Sequence, residues 1–407
     1  MKVRLRRESG SPGLISRLLF AMLLAPLFAL TPTLANAQGV WLTLPHLNTA
    51  RQSLAGATAP CPKGVAGLSG TCVYAIGGND GTGVVGTLEA YSPATNRWVA
   101  LPSMPTARQS LAGAAAPCPK SVAGLSGTCV YAIGGTDGAQ PSPNQLNTVE
   151  AYSPATNTWV TLPPMHSTRD GLAGATAPCP KGVAGLSGTC VYAVGGANRS
   201  AGATQLNTVE AYSPATNLWV TLPSMPTART ALAGAAAPCP QAVAGGGSDT
   251  PREPGGRRRA DPDTEERNET CVYAYGGFPG GGAPDDLHRA AETYVPTANV
   301  WATLPLMPTA REDLAGAAAP CPKAATQTCV YAVGGIDNGV PLGTLEAYIP
   351  TANVWATLPS MPTARFALAG TAAPCPDDLD RTCVYAIGGR SGGVLPQDTV
   401  EAFDIEK

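Results

Sequence analysis

The repeating unit of the chain is clearest in residues 98–152, which read WVALPSMPTARQSLAGAAAPCPKSVAGLSGTCVYAIGGTDGAQPSPNQLNTVEAY. An arginine lies ten residues after the tryptophan, and an L-A-G-A run, two cysteines, a double glycine and an E-A-Y triplet follow in that order. Six copies of this unit, some with small variations, contain all the tryptophans of the 407-residue chain. Such self-similarity indicates a repeat protein in which each unit is one supersecondary element. The tryptophans are Trp41, Trp98, Trp159, Trp219, Trp301 and Trp355.

The order of these marks resembles the kelch repeat, which is characterised by the double glycine, the downstream E-x-Y and the spaced tryptophan. The resemblance covers the whole chain after its first 37 residues. It implies an all-β fold, a six-bladed β-propeller with four antiparallel strands in each blade. The residues agree with this fold. TCVYAIGG is rich in β-branched and aromatic residues and ends in a glycine turn, and S-P-A-T-N supplies turn residues before a W-V-T-L strand.

The L-A-G-A run is an unusual strand, because alanine and glycine have low β-propensity. In a propeller, however, one strand of every blade lies against the crowded central axis, where small side chains fit. We therefore expect L-A-G-A to form the innermost strand and W-V-T-L the outermost. A helix is the alternative, but each run is short and stops at Pro-Cys-Pro. The chain begins with an outermost strand, Val40–Leu44, and ends with a third strand, Thr399–Ile405, so we expect these two to pair and close the ring.

The twelve cysteines fall in six pairs, one in each unit. Each pair brackets the loop between the first two strands of a blade, where antiparallel neighbours lie within the usual distance for a disulfide. Zinc is the alternative, but a structural zinc site takes four ligands and each blade offers only two. We therefore predict six disulfides, no metal site and no cofactor. The predicted pairs are Cys61 with Cys72, Cys118 with Cys129, Cys179 with Cys190, Cys239 with Cys271, Cys321 with Cys329, and Cys375 with Cys383.

The first 37 residues have the pattern of a secretory signal peptide. A basic segment precedes a short apolar run, Leu18–Leu30, and small residues surround Ala35-Asn36-Ala37. We expect cleavage after Ala37 and a secreted, periplasmic or cell-surface protein, with the export route left open. The leader holds five basic residues and one acidic residue, so the net charge of residues 38–407 is about −6 instead of −2. That charge argues against nucleic acid as a partner. We expect a monomer whose mature chain does not insert in a membrane.

One unit carries a long insertion between its two cysteines, residues 240–270. The insertion is rich in glycine, proline and charged residues and has almost nothing apolar to bury. We therefore expect a disordered surface loop within the domain formed by residues 38–407. Its Arg257-Arg258-Arg259 run is a docking patch or processing site in one interpretation and part of a solvated linker in the other.

The repeat arginines are candidate ligand contacts. They begin the innermost strands on the face that also carries the loops after the double glycines, which vary most between units, and such loops on a rigid scaffold often carry recognition. In kelch propellers that bind acidic peptides, arginines at the matching position of some blades contact ligand carboxylates through paired hydrogen bonds. The alternative is that each arginine ties neighbouring blades together through backbone carbonyls or the repeat glutamate. The six are Arg51, Arg108, Arg169, Arg229, Arg311 and Arg365.

The leading functional interpretation is a binding or scaffold module that recognises an extracellular protein or glycan, acidic ligands included, through the arginine face. A carbohydrate-modifying enzyme similar to sialic-acid mutarotase is the alternative, since Asp170, Glu312 and Asp313 lie beside repeat arginines. A passive envelope protein is the third interpretation. No catalytic residue is assigned, because the chain contains no phosphate-binding loop and no catalytic Cys/His pattern.

Overall fold

The computed structural model describes residues 39–139, 143–198, 204–241 and 269–407. All of these belong to one compact unit, and they form six four-stranded antiparallel sheets, the blades of a β-propeller. The predicted signal peptide, residues 1–37, and most of the predicted disordered insertion, residues 240–270, lie outside the described residues. Within the described ranges, no helix is long and apolar enough to cross a membrane.

Blades are numbered in chain order, and strands are counted from the axis outward. The innermost strands are Ala55–Pro60, Ala112–Pro117, Ala173–Pro178, Ala233–Pro238, Ala315–Cys321 and Ala369–Cys375. The second strands are Thr71–Ile76, Thr128–Ile133, Thr189–Val194, Thr270–Tyr275, Ala324–Val333 and Asp378–Ile387. The third strands are Leu88–Ser92, Val149–Ser153, Val209–Ser213, Ala291–Val295, Leu345–Ile349 and Val400–Asp404. The outermost strands are Arg97–Leu101, Thr158–Leu162, Leu218–Leu222, Val300–Thr303, Val354–Leu358 and, in blade 6, Val40–Thr43.

Two short strand pairs and one helical turn lie in the loops that follow the double glycines. Ala197–Asn198 pairs with Thr204–Gln205 in blade 3, and Ile336–Asp337 pairs with Val340–Pro341 in blade 5. Blade 4 has a single helical turn, Asp285–His288, at the corresponding place. These elements differ from blade to blade, in keeping with the variable sequence of these loops.

Blade 6 combines the two ends of the described chain. Its outermost strand, Val40–Thr43, pairs antiparallel with the third strand, Val400–Asp404, and Trp41 lies opposite Phe403. The other strands of the sheet come from the C-terminal part. The ring closure predicted by counting strands is therefore confirmed, and this pairing covers what would otherwise be an open sheet edge.

Loops alternate between two faces of the ring, because successive strands of a blade run in opposite directions. We call one the connector face. It carries the segments that join the outermost strand of one blade to the innermost strand of the next, together with the loops after the double glycines. We call the opposite one the disulfide face. It carries the loops between first and second strands and the turns between third and outermost strands.

The L-A-G-A runs form the innermost strands, as predicted, and their glycines explain why. A Cβ atom on Gly113 would lie 2.6 Å from the carbonyl oxygen of Gly56 in blade 1, and one on Gly174 would lie 2.7 Å from that of Gly113. The contact returns from blade 1 to blade 6, where a Cβ on Gly56 would lie 2.8 Å from the Gly370 oxygen. Glycine at this position therefore lets six strands meet around one axis.

Aromatic side chains hold neighbouring blades together farther from the axis. The indole Nε1 of Trp98 donates a 2.9 Å hydrogen bond to the carbonyl oxygen of Pro45 in the preceding connector. All six repeat tryptophans make the equivalent bond. The third-strand Tyr152 packs against the second-strand Tyr74 of the preceding blade, with ring centroids 6.1 Å apart. These buried rings supply apolar contact between blades, and the indole N–H is satisfied at the same time.

All six predicted disulfides are present, so every cysteine of the chain is paired. Each joins the end of an innermost strand to its neighbouring second strand, at a Cα–Cα distance of 4.9 to 5.0 Å. Every blade is therefore covalently closed on its disulfide face, and six disulfides in one chain are typical of a protein that works in an oxidising compartment. Cys61 is bonded to Cys72, Cys118 to Cys129, Cys179 to Cys190, Cys239 to Cys271, Cys321 to Cys329, and Cys375 to Cys383.

Candidate functional site

The six repeat arginines are fully buried beneath the connector face. In blade 1, Nη2 of Arg51 donates to Glu89 at 2.9 Å, while Nη1 donates to the carbonyl oxygens of Gly77 and Thr87 at 2.8 and 3.0 Å. Every blade has this ion pair between its arginine and the glutamate of its E-A-Y or equivalent triplet. The pairs are Arg51–Glu89, Arg108–Glu150, Arg169–Glu210, Arg229–Glu292, Arg311–Glu346 and Arg365–Glu401.

Each ion pair fixes the connector that precedes a blade. Glu89 also accepts hydrogen bonds from the backbone N–H and the side-chain amide of Asn48, at 2.8 and 2.7 Å. Burial lowers the pKa of the Arg51 guanidinium, and the charge of Glu89 opposes that shift. Between blades, the backbone carbonyl of Arg108 accepts a 2.9 Å hydrogen bond from the second glycine of the preceding pair, Gly78. The repeat arginine thus ties its connector to its own blade and to the preceding one.

This geometry corrects the prediction of a ligand-binding arginine ring. The exposed fraction of all six side chains is 0%, so the guanidinium groups have no surface to offer a ligand. Their hydrogen bonds run to glutamates and carbonyl oxygens inside the protein, which is the alternative that the sequence left open. Ligand chemistry on the connector face has to come from the residues around these arginines.

A closed circle of backbone hydrogen bonds frames the channel mouth on the connector face. Its members are the residues two places after each arginine, and each N–H donates to the carbonyl oxygen of the member in the preceding blade, at 2.7 to 2.9 Å. Every member has a positive φ, between 50° and 59°, although only one is glycine. Non-glycine residues held in this conformation concentrate at functional sites. The members are Ser53, Ser110, Gly171, Ala231, Asp313 and Ala367.

Two further sets of residues surround this circle and differ from blade to blade. In every blade, the residue directly after the arginine forms an isolated β-bridge with the residue that follows the double glycine. The first set is Gln52, Gln109, Asp170, Thr230, Glu312 and Phe366. The second set is Asn79, Thr136, Ala197, Phe278, Ile336 and Arg390. We call these twelve residues, together with the circle, the mouth site. Its chemistry is amide and hydroxyl in blades 1 and 2, acidic in blades 3 and 5, and aromatic and basic in blade 6.

Three carboxylates give one side of the mouth site a negative potential. Asp170 in blade 3 is buried, while Glu312 and Asp313 in blade 5 are partly exposed. Burial, followed by the charges of Glu312 and Asp170, raises the pKa of Asp313 to about 6. Burial and the charge of Asp337 raise the pKa of Glu312. A carboxyl group with a pKa near neutrality exchanges its proton in the physiological range, as acid–base groups do.

Blade 6 contributes a cation and exposed apolar side chains to the connector face. The guanidinium of Arg390 lies 5.7 Å from the ring centroid of Phe366, and its Nε donates to the carbonyl oxygen of Gly393 at 2.6 Å. Val394 and Leu395, in the same loop, are 80% and 66% exposed. Exposed apolar residues beside polar groups are typical of recognition surfaces.

The channel behind the mouth is narrow and almost free of functional groups. Its cavity has a volume of about 250 Å³ and is lined by glycine and alanine, with three threonines, Thr58, Thr176 and Thr371. The hydroxyl groups of Thr58 and Thr371 lie 2.7 Å apart and bond to each other. Typical ligand pockets are larger, at about 300–1,000 Å³. The channel is therefore too small to hold a ligand of ordinary size.

The three histidines do not form a cluster, because each one contacts a different residue. His46 pairs with Asp398 at 2.9 Å, His166 lies 3.3 Å from Glu210, and His288 packs edge-on against Phe278.

Among the described residues, one group has the spacing of three metal ligands. It consists of Cys375, Cys383 and Asp404. The two cysteines are joined in a disulfide, so their sulfurs are not thiolate ligands. The chemistry of this donor set does not fit a metal.

The three mouth carboxylates, and the variable loops that begin with second-set residues, were predicted from the sequence as part of the recognition surface, whereas the rest of the first set was not assigned to a site. The signal was available, because each first-set residue directly follows a repeat arginine. It was missed because the arginine itself, a strong ligand-binding residue type, drew the prediction.

Comparison with known proteins agrees with this architecture. A model of the kelch motif matches residues 64–105, 117–166, 182–226 and 317–362. A solved structure titled "Structure of YjhT" is similar in fold, with a TM-score of 0.57 and 15% sequence identity over 88% of this chain and 95% of that chain. No curated protein matches the sequence. At such low identity the structural likeness speaks for the fold alone. The motif matches in four repeats and the six blades together support a kelch-repeat β-propeller.

Proposed function

We propose that this protein is an exported recognition module that binds a protein or glycan through the mouth site on its connector face. One observation carries the proposal. The contacts that build the ring, from the arginine–glutamate pairs to the tryptophan bonds, repeat in all six blades, whereas the mouth residues differ from blade to blade. Because the mouth residues differ between blades, they place different functional groups on a rigid scaffold. Binding sites on loops are commonly built in this way.

The chemistry of the mouth site favours a ligand that donates hydrogen bonds. Carboxylates from blades 3 and 5 accept them, and the amides of Gln52 and Gln109 lie in blades 1 and 2. With the repeat arginines buried, the support for an acidic ligand at this face is lost. Sugar hydroxyls or a cationic peptide side chain fit the carboxylates, and Phe366 offers an apolar surface beside them.

A binding array with matched variants tests the proposal. The chain from Gln38 to Lys407 is applied to arrays of glycans and peptides, beside Asp313→Asn and Phe366→Ala. Asparagine tolerates the positive φ of Asp313, so the first variant removes the charge and keeps the backbone. We expect a bound ligand to lose about tenfold or more in affinity, because hydrogen bonds to charged groups are worth about 1.5–3 kcal/mol.

Asp377→Asn is the control, since it removes an exposed carboxylate from the disulfide face. Equal binding by all four proteins would show that the ligand does not bind at the mouth site. A folded protein that binds nothing on either array would favour the passive envelope interpretation.

A carbohydrate-modifying enzyme is the second candidate, and the raised pKa of Asp313 is the observation in its favour. A group with a pKa of about 6 takes up and releases protons readily near neutral pH. Anomer interconversion of any sugar found on the array, followed by NMR, tests this activity. A catalysed rate that changes near pH 6 and is lost in Asp313→Asn would support it. A rate equal to that of the uncatalysed reaction would exclude this activity and leave binding as the remaining candidate function.

Export completes the proposed function. The six disulfides support an oxidising compartment, and the signal-peptide pattern of the first 37 residues supports secretion with cleavage after Ala37. Intact mass of the exported protein tests both. We expect a chain that begins at Gln38 and takes up no alkylating reagent without reduction, whereas a retained leader or alkylated cysteines would contradict the proposal.

A further inference from the structure

The lysines of the propeller share one structural position. Four of them lie two residues after the first cysteine of a blade, in the sequence Cys-Pro-Lys, and all four are exposed. The remaining described lysine, Lys407, follows the third strand of blade 6 and is also on the disulfide face. The connector face has none among the described residues. The four are Lys63, Lys120, Lys181 and Lys323.

Three of these lysines form an arc across consecutive blades. Lys63, Lys120 and Lys181 belong to blades 1, 2 and 3, and the exposed Arg97 begins the outermost strand of blade 1, directly after its turn on the disulfide face. None of the ion pairs in the described part of the chain involves any of these four side chains. Their charges are therefore available to a partner. We call these four residues the basic arc.

The loops that carry the basic arc are held in place from both sides. In blade 1 the disulfide closes the loop, and the Cys61 N–H donates to the Gly70 carbonyl at 2.9 Å. The hydroxyl of Thr95, in the neighbouring turn, donates to Gly67 at 2.6 Å. Blades 2 and 3 repeat these contacts. Charges on such loops are presented in a fixed arrangement, which lowers the entropy lost when a partner orders them.

Among the residues that the structure describes, acidic groups are absent around the basic arc and concentrated elsewhere. Among the described residues of blades 1, 2, 3 and 5, no carboxylate lies on the disulfide face. Blade 4 has one there, Glu269, and blade 6 has a cluster that is partly neutralised by Arg381 and Lys407. The cluster is Asp377, Asp378, Asp380, Asp404 and Glu406. The protein has a net negative charge as a whole, yet half of this face is positive.

We infer that the basic arc is a docking surface for an acidic polysaccharide, separate from the mouth site and independent of its function. A linear polyanion follows the arc over blades 1 to 3 and gains a lysine contact from each. Because the polymer is narrow, it avoids the carboxylates of blade 6. The net negative charge of the protein confines such a chain to the arc by repelling it elsewhere.

Other partners fit this surface less well. Protein interfaces are depleted in lysine and enriched in aromatic residues and arginine, and no large aromatic side chain is exposed among the described residues. Without exposed aromatic side chains, the described surface has no platform on which the bases of a single-stranded nucleic acid would stack. A flat anionic membrane would meet the carboxylates of blade 6 together with the lysines, and like charges would repel it.

Binding to immobilised polymers at low and high salt tests the inference. The probes are alginate and heparin, with neutral dextran, duplex DNA and phosphatidylserine vesicles beside them. The variants are the triple Lys63→Gln/Lys120→Gln/Lys181→Gln and the charge-preserving triple Lys63→Arg/Lys120→Arg/Lys181→Arg. All three sites are exposed, so both variants are expected to fold, and the thermal transition verifies this.

We expect the unmodified protein to bind alginate or heparin at low salt and to release it as salt rises, because contacts to polyanions are salt-dependent. The glutamine triple should bind about tenfold more weakly or worse, and the arginine triple should bind within about twofold of the unmodified protein. Equal binding of dextran, undiminished binding by the glutamine triple, or no binding to either acidic polymer would overturn the inference. Tighter binding of DNA or vesicles than of both polysaccharides would do so too.

Discussion

A buried guanidinium needs hydrogen-bond acceptors for its N–H groups in place of water. The Arg108 guanidinium has such acceptors within its own blade. Its Nη2 forms an ion pair with Glu150, and its Nη1 donates hydrogen bonds to the carbonyl oxygens of Gly134 and Thr148. Buried pairs of this kind add little net stability compared with apolar residues, but they are costly to break. A substitution that removes only one member of the pair is therefore costly, which fits its presence in every unit.

Removing one member of this pair should be strongly destabilising. We expect Glu150→Leu to lower the free energy of unfolding by about 3–5 kcal/mol, because Arg108 is left buried and charged without its partner. The double variant Arg108→Met/Glu150→Leu should lose less than the two single changes together. Denaturant unfolding of the four proteins gives the coupling.

Asp398→Asn breaks the exposed pair with His46 and serves as the control, with an expected change within about 0.5 kcal/mol. A loss in Glu150→Leu as small as this would show that the pair is not a structural tie.

At the scale of the element, the innermost strand is defined by what it lacks. Its alternating small residues leave space for the next blade, and Gly113 is the closest point of approach to Gly56. The same sequence on an outer strand would pack poorly, because alanine and glycine bury little surface.

A single added methyl group at Gly113 should therefore disturb the ring. In Gly113→Ala the new Cβ would meet the backbone oxygen of Gly56 at 2.6 Å, and overpacking of this kind costs about 1–3 kcal/mol. Gly83→Ala is the matched control, since a Cβ there meets nothing within 4 Å. Thermal unfolding of both variants would separate the two cases, and an equal transition temperature for both would contradict the crowding argument.

The sequence predicted the elements well because each one carries a local pattern. TCVYAIGG, S-P-A-T-N and L-A-G-A are each read within a few residues, and the cysteine pairs lie close in the chain. The candidate site was less predictable, because it depends on distant residues. Arg51 and Glu89 are 38 positions apart, and the pKa of Asp313 depends on Asp170 two blades away. The burial of a residue and the electrostatic field at its position both depend on how the six blades pack into the ring.

At the scale of the whole molecule, six disulfides each close a loop within one blade. Each blade has a disulfide, and the size of the loop that it closes differs. In blade 2, Cys118 and Cys129 are 11 residues apart, and in blade 4, Cys239 and Cys271 are 32 apart. A disulfide restricts the unfolded chain more when its loop is longer.

Removing these two disulfides should therefore have unequal effects. We expect Cys118→Ala combined with Cys129→Ala to lower the free energy of unfolding by about 3 kcal/mol. Cys239→Ala combined with Cys271→Ala should lower it by about 1 kcal/mol more. Guanidinium unfolding without reductant measures both. A smaller loss for the longer loop would mean that the disulfides act on the folded state and not on the unfolded chain.

The opposite charges of the two faces give the propeller an electric dipole along its axis. Carboxylates at the mouth form its negative end, and the basic arc on the other face forms its positive end. If the basic arc binds an acidic polysaccharide, this dipole turns the molecule so that the arc faces that polymer. The mouth site would then point outward into solution. The distribution of charge thus favours one orientation of the propeller on an acidic polymer.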